Sequence, residues 1–330
     1  MIRLGDHVFN VAPGSTVLSA ALAAGIQIPH SCGVGTCGTC RYELVDGEIE
    51  NASAMAAAYA SLVSTSNLKL ACQSYPKTDL HIRLANDEEC AFGNIIRQKV
   101  HTHDITQITV AVNRPIRFIP GQYAQIKVRD VGDFWRSFSF SQTCNEDGEL
   151  SFLVRRVQGG RLSTALTTGN LRGAEVAIRG PFGDFWLRPG NERLVFVAGG
   201  SGIGPINAML NEMVRLKDSR KCLLLFGVKT DKDVFFLEEL RKLKSELGNT
   251  FEYEIWVESV QLGSFWSGYR GLVSKGLRSA LTKEDILYIC GSEGMVRACI
   301  DIALAVGIDL ANLHSDAFVH FSTQHIPGHR

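Results

Sequence analysis

The spacing of four cysteines constrains this chain more than any other feature. Cys32, Cys37 and Cys40 form C-x4-C-x2-C within PHSCGVGTCGTC, and Cys72 follows thirty-two residues later in LACQ. Four thiolates supply two ligands to each iron of a 2Fe–2S cluster, and this spacing is one by which such clusters are held. Gly33, Gly35 and Gly38 let the intervening backbone fold tightly and aim N–H groups at negative sulfur. Zinc is the competing reading. It prefers paired C-x2-C knuckles, whereas this chain has one close pair, one longer arm and one distant cysteine. A Rieske centre needs Cys-x-His arms, and the one histidine near the loop, His30, has no second such pair to match it. Cys90, Cys144, Cys222, Cys290 and Cys299 are scattered and read first as ordinary buried thiols.

At 330 residues the whole chain is long enough for about two or three domains at the usual ~150 residues each. Apolar residues make up 45% of it and charged residues 21%, which suffices for real cores. Lys plus Arg and Asp plus Glu both number 34, so no basic surplus points to nucleic acid. No uncharged apolar run approaches the ~18–20 residues that cross a bilayer. The opening MIRLGDHVFNVAPG lacks the layout of a secretory signal. A cytoplasmic protein without disulfides, with no membrane or nucleic-acid partner, is therefore expected.

Three textures follow one another. Residues 1–88 read as a small α+β unit. A strand is expected over 1–10 and a helix capped at Ser15-Thr16 through Ala24. Strands follow at Arg41–Val45 and Leu80–Leu84, with the helix-prone stretch NASAMAAAYA between them. Residues 93–188 carry short strands at Ile95–His101, Ile105–Asn113, Tyr123–Val128, Phe138–Ser141, Leu150–Val157 and Glu175–Ile178. Turn signals separate them and one helix interrupts at 163–168, which predicts an antiparallel barrel. In residues 190–320 the fully apolar runs LVFVA, CLLLF and ILYIC alternate with helices at Pro205–Leu216, Phe236–Leu247 and Met295–Val306. That pattern predicts a parallel sheet covered on both faces. Residues 321–330 read as a polar, flexible tail.

Two further constellations carry chemistry. In the barrel block, Arg136 opens a strand Arg136-Ser137-Phe138-Ser139, and Val157 to Ser163 supplies Gly159, Gly160, Arg161 and Leu162 at a helix start. A guanidinium fork plus free helix amides suits a pyrophosphate. A hydroxyl two or three residues on can reach the reactive edge of a flat ring covered by an aromatic. The plain alternative is an ordinary half-buried strand. In the third block, LVFVA runs into Gly199-Gly200-Ser201-Gly202-Ile203-Gly204-Pro205, with Pro205 expected at the first helical position. Strand, glycine turn and helix make a dinucleotide cradle, or else a purely structural turn. A second turn, Cys290-Gly291-Ser292-Glu293-Gly294-Met295, ends another buried strand, so the two bracket one crevice.

Taken together, these residues resemble the reductase components of bacterial multicomponent, ring-hydroxylating oxygenases. These belong to the ferredoxin–NADP reductase superfamily and carry an N-terminal plant-type ferredoxin domain. The resemblance covers about residues 1–320. It implies a multidomain α+β fold: a β-grasp ferredoxin domain, an antiparallel β-barrel flavin domain and an α/β parallel-sheet nucleotide domain. It implies that Cys32, Cys37, Cys40 and Cys72 hold the 2Fe–2S cluster. Arg136 would grip the FAD pyrophosphate, Phe138 would pack on the isoalloxazine and Ser139 would bond its redox-active nitrogen. Ser137, Val154, Val157 and Gly159–Ser163 would complete the flavin site. Gly199–Pro205, Gly291 and Met295 would bind the nicotinamide nucleotide. Cys290 would sit beside the hydride-donating carbon, and Phe318 would lie near the flavin. Phe138 replaces the family's usual tyrosine, and Ser292-Glu293 replaces its usual proline pair.

The family implies NADH, although Gly227–Asp233 carries both acids and cations near the expected ribose; the plain alternative is that Lys229–Asp233 is a solvated surface loop. It also implies a terminal oxygenase component as electron acceptor, most readily a Rieske dioxygenase, docked transiently by a monomer. A di-iron monooxygenase and a sugar-deoxygenating dehydratase fit the same residues. From another class, a non-catalytic nucleotide sensor with a zinc-stabilised docking module remains open.

Overall fold

A computed structural model describes residues 1–26, 28–30, 40–51, 68–84, 90–144 and 147–318. These divide into two compact units, one of residues 1–90 with 182–184, the other of 91–181 and 185 onward.

In the first unit the expected single N-terminal strand is a hairpin, β1 (Ile2–Leu4) and β2 (His7–Phe9). Gly5, at φ +56°, reverses the chain between them. Helix α1 (Val17–Ala23) starts where expected: the Thr16 hydroxyl oxygen accepts from the Ser19 N–H at 3.1 Å. Then come β3 (Arg41–Asp46), β4 (Ile49–Asn51), β5 (Leu68–Leu70), β6 (Ser74–Pro76) and β7 (Leu80–Leu84). The main sheet has the order β2-β1-β7-β3-β5, with β1 and β7 parallel and its other pairings antiparallel; β4 and β6 pair separately. Its core joins Ile2, Val17, Ile28, Tyr42 and Ile82 to the thiols of Cys40 and Cys72. The helix expected over NASAMAAAYA lies almost wholly outside the described residues.

The second unit opens with six antiparallel strands: β8 (Ala91–Val100), β9 (Ile105–Val112), β10 (Tyr123–Val128), β11 (Arg136–Ser139), β12 (Glu149–Arg155) and β13 (Glu175–Phe182). Their order is β11-β10-β13-β8-β9-β12. A bridge between Phe140 and Phe152 joins the two ends, so the sheet closes into the expected barrel. Helix α2 (Arg161–Thr168) packs Leu162 and Leu166 into the barrel core.

The remaining strands, β14 (Leu194–Gly199), β15 (Cys222–Thr230), β16 (Phe251–Ser259), β17 (Tyr269–Arg270), β18 (Ile286–Ser292) and β19 (Leu313–Phe318), form one parallel sheet. The order β17-β16-β15-β14-β18-β19 puts β14 in the middle, where the winding direction reverses. Alternate residues of β14 face opposite cores: Leu194, Phe196 and Ala198 on one side, Val195 and Val197 on the other. The covering helices are α3 (Ile203–Leu216), α4 (Leu237–Leu247), α5 (Val273–Ala280) and α6 (Glu293–Val306). Strands β16 and β19 were not anticipated. Their polar residues (Glu252, Glu254, His314, Asp316) break the apolar runs that mark the central strands.

Candidate functional site

Cys40 immediately precedes β3, and Cys72 lies in a one-turn 3-10 segment, Ala71–Gln73, after β5. Pairing of β3 with β5 sets Arg41 opposite Leu70, and the Ala71 N–H donates to the Cys40 carbonyl at 2.8 Å. The Cys72 N–H then points at the Cys40 sulfur, 3.4 Å away. Two thiols far apart in sequence thus meet in one core, 2% and 6% exposed, with a backbone amide already aimed at one sulfur. Backbone N–H donors to sulfur are the kind of contact that tunes such a cluster, so these residues fit a 2Fe–2S group. Cys32 and Cys37 lie outside the described residues. Beside Cys40, burial pushes the Tyr42 phenol up to about 12, so it stays neutral there.

On β11, Ser139 is buried and Phe138 half-buried against the barrel core, while Arg136 and Ser137 are exposed. The Arg136 guanidinium donates to the Trp135 carbonyl at 2.7 Å. The loop before α2 is stapled by Ser163, whose hydroxyl accepts from the Val157 N–H at 3.1 Å and donates to the Gly160 carbonyl at 3.2 Å. Gly159, at φ +74°, makes the reversal. The helix begins at Arg161, two residues earlier than expected. The Gly160 N–H donates to the Val157 carbonyl at 2.9 Å and the Thr164 N–H to the Gly160 carbonyl at 3.0 Å, so neither amide is free. The N–H groups of the first helical turn, 161–163, have no acceptor within the helix, although the Leu162 and Ser163 side chains are buried. Val154 and Leu162 are sealed in the barrel core, so neither side chain lines an open face.

The glycine turn after β14 is a 3-10 segment, Gly200–Gly202, that passes into α3. Pro205 is therefore the third helical residue rather than the first, still within the turn whose N–H groups have no helical acceptor. The glycines are there for contact. A Cβ on Gly202 would lie 2.2 Å from the Cys290 carbonyl, one on Gly199 2.6 Å from the Met295 sulfur, and one on Gly204 3.3 Å from Ser141. The two turns therefore pack backbone to backbone, with Met295 filling the space above Gly199 and Gly291. Ser201 and Ile203 are buried beneath them.

Cys290 is wholly enclosed; burial and the nearby Asp316 push its thiol well above the ordinary range, and it stays protonated. Asp316 is its register partner on β19, and the Ser139 hydroxyl donates to the Asp316 carboxylate at 3.4 Å. The barrel and the sheet thus bring Ser139, Cys290 and Asp316 together. Phe318, two residues on, packs half-buried against the sheet core. Sequence reasoning missed Asp316, because a lone acid in an edge strand has no spacing to flag it. It also missed Arg155, which pairs with Asp104 at 2.7 Å and reaches over Gly200, 3.0 Å from where a Cβ would stand. Lys229–Asp233 is not merely a solvated loop. Asp231 accepts from the Gln261 N–H at 3.0 Å, and buried Asp233 accepts from the Thr230 N–H and hydroxyl at 3.0 and 2.7 Å. A cavity of about 390 Å³ on the barrel wall, lined by Phe92, Lys127, Arg129 and Glu175 among others, includes none of the expected residues.

Comparison with known proteins finds three domain families in order: a 2Fe-2S iron-sulfur cluster binding domain over residues 3–77, an oxidoreductase FAD-binding domain over 93–186 and an oxidoreductase NAD-binding domain over 196–301. The electron transfer component of xylene/toluene monooxygenase from Pseudomonas putida is 35% identical over 328 residues, 96% of this chain and 92% of the relative. The chain belongs to the family of oxygenase reductase components. Another member, the electron transfer component of Pseudomonas putida toluate 1,2-dioxygenase, is 32% identical over 92% of this chain and 93% of its own. Among solved structures, the ferredoxin reductase in carbazole 1,9a-dioxygenase aligns with TM-score 0.68 at 25% identity, covering 96% of this chain and 98% of its own. The reductase is thus an oxidoreductase with 2Fe-2S, FAD and NAD domains, and the flavin barrel and parallel sheet are the ones expected. Among the described residues no helix is long and apolar enough to cross a membrane.

Proposed function

We propose that this chain takes reducing equivalents from NADH and delivers them singly to a terminal oxygenase component, with a Rieske-type aromatic dioxygenase as the favoured partner. When bound, FAD accepts two electrons as a hydride and the 2Fe–2S cluster carries them onward one at a time. The observation that carries this reading is the meeting of Ser139 from the barrel with Cys290 and Asp316 from the nucleotide sheet. There Ser139 holds the flavin edge through a hydroxyl that Asp316 orients. Cys290, neutral and buried, presents a polarizable wall to the nicotinamide and forms no covalent bond. Arg136, Arg161 and the amides of the first α2 turn receive the FAD diphosphate. Phe138 and Phe318 flank the ring. The turn 199–205, closed by Gly291 and Met295, receives the nucleotide, with Arg155 above Gly200.

A second reading has one specific observation in its favour. The 35% identical relative serves a monooxygenase rather than a dioxygenase, so a monooxygenase component is the alternative acceptor. NADH is preferred to NADPH on family grounds, although Asp231 is engaged by the Gln261 N–H and Asp233 by Thr230. We further propose domains at 1–88, 93–188 and 190–320 with a tail at 321–330, a monomer, no nucleic-acid partner and a cytoplasmic location. Reduced thiols and NADH are both available there.

The order of transfer is tested by Cys72→Ser. Flavin bleaching by NADH is expected to persist while cytochrome c reduction collapses; retained cytochrome c reduction refutes the order. In Ser139→Ala, flavin reduction is expected to slow by roughly tenfold or more with FAD still bound.

A further inference from the structure

Two guanidiniums share one aromatic ring on the barrel. The Arg136 and Arg161 central carbons lie 4.9 and 5.1 Å from the centroid of Phe134. They come from different elements, β11 and the first residue of α2. The ring is seated for this. Gly132, at φ +149°, lacks the Cβ that would stand 2.5 Å from Phe134 Cε1 and 3.3 Å from Arg161 Nη2. Phe134 is half-buried against the barrel core, so its position is set by packing. Among the described residues each guanidinium also donates to a backbone carbonyl, Arg136 to Trp135 at 2.7 Å and Arg161 to Val131 at 3.0 Å. Stacking uses the flat face of a guanidinium and leaves edge N–H groups free for an anion.

The neighbouring ring shows what an ordinary cation–aromatic pair looks like. Trp135 carries Lys127 at 5.2 Å and Arg179 at 4.4 Å, but Lys127 is neutralised by Asp133 at 2.7 Å and Arg179 bonds Gln125 at 2.7 Å. Among the described residues neither Arg136 nor Arg161 meets a carboxylate. Two like charges gathered on one ring without a counter-ion repel each other. The arrangement makes physical sense where a dianion completes it.

We propose that Phe134 is a positioning residue for FAD, holding Arg136 and Arg161 in place to receive its diphosphate; this rests on the assignment of that diphosphate to the two arginines. Holding them removes part of the rotamer entropy that two long side chains would otherwise lose on binding. Phe134 itself touches no phosphate.

The test is FAD affinity, read on the purified holoprotein as the rise of free-flavin fluorescence on dilution. Phe134→Leu, which keeps an apolar group without a ring face, is expected to weaken FAD binding by roughly tenfold. Phe134→Tyr is expected to stay within about twofold, since the face is kept. In an Arg136→Ala/Arg161→Ala background the Phe134→Leu effect is expected to shrink to near nothing, because the ring acts through the arginines. Unchanged affinity in Phe134→Leu, or a full effect that persists without the arginines, overturns the inference. Unchanged affinity in Arg136→Ala/Arg161→Ala overturns the assignment of the diphosphate instead. If Phe134→Leu does not accumulate as folded protein, Phe134→Met makes the same comparison.

Discussion

At Gly202 a single methyl group would stand 2.2 Å from the Cys290 carbonyl oxygen, with no flexible side chain able to yield. Gly202→Ala is therefore expected to destabilise the nucleotide-binding sheet by about 1–3 kcal/mol or more, seen as a lowered midpoint of thermal unfolding. Gly159→Ala has open space around it and only the positive φ to resist, so a loss near 1 kcal/mol is expected from the same measurement. Asp316 acts on two neighbours at once. Asp316→Ala removes both the charge that helps hold the Cys290 thiol up and the acceptor for Ser139. NADH is then expected to bleach the flavin at least roughly tenfold more slowly with FAD retained, and the thiol to titrate lower, as thiolate absorbance would record.

At the scale of the element, the turn that presents Cys72 is closed by a residue with no ligating role. The buried Ser74 hydroxyl donates to the Leu70 carbonyl at 2.8 Å, spanning the 3-10 segment between β5 and β6. Ser74→Ala removes one net hydrogen bond, worth about 1 kcal/mol, so the bound cluster is expected to bleach several-fold faster under a chelator. Ser74→Thr keeps the hydroxyl and should restore the rate. Strand β11 shows a related division of labour. Its buried end carries Ser139 to the sheet, while its exposed start presents Arg136 outward.

At the scale of the whole molecule, barrel and nucleotide sheet form one unit through contacts that are partly titratable. His101 of the barrel packs between Phe235 and Phe236, 5.3 and 5.2 Å from their centroids. Burial lowers its pKa below the usual 6.5, against the opposing pull of Gln107, with Lys99 lowering it further and Glu239 raising it. A base depressed in the folded state binds more protons when unfolded, so stability is complete above about pH 6.5 and falls as pH drops through the lowered folded value. The unfolding midpoint is expected to decline on acidification below that point, and His101→Gln to flatten the decline. An unchanged slope in the variant would remove His101 from the account. Asn207 of α3 adds a second tie, donating to the Ser141 carbonyl at 3.2 Å.

Local signals in the chain determined the cofactor set and the fold of each block. Cysteine spacing, short alternating strands with turn residues, and fully apolar runs followed by glycine each report on neighbours within a few residues. Their physics is complete at that range. The N-terminal hairpin is the exception, since Gly5 was read as part of a strand rather than as its reversal. What only the tertiary structure decided is which distant groups meet. Ser139 and Asp316 are 177 residues apart in sequence, and Arg155 stands over Gly200. The glycines of the nucleotide turn serve the approach of Cys290 as much as that of a ligand. Such encounters depend on sheet order and on which strand is central, and those are set by the packing of whole faces. No residue spacing encodes them, because the energy that selects them is shared among all the side chains those faces bury.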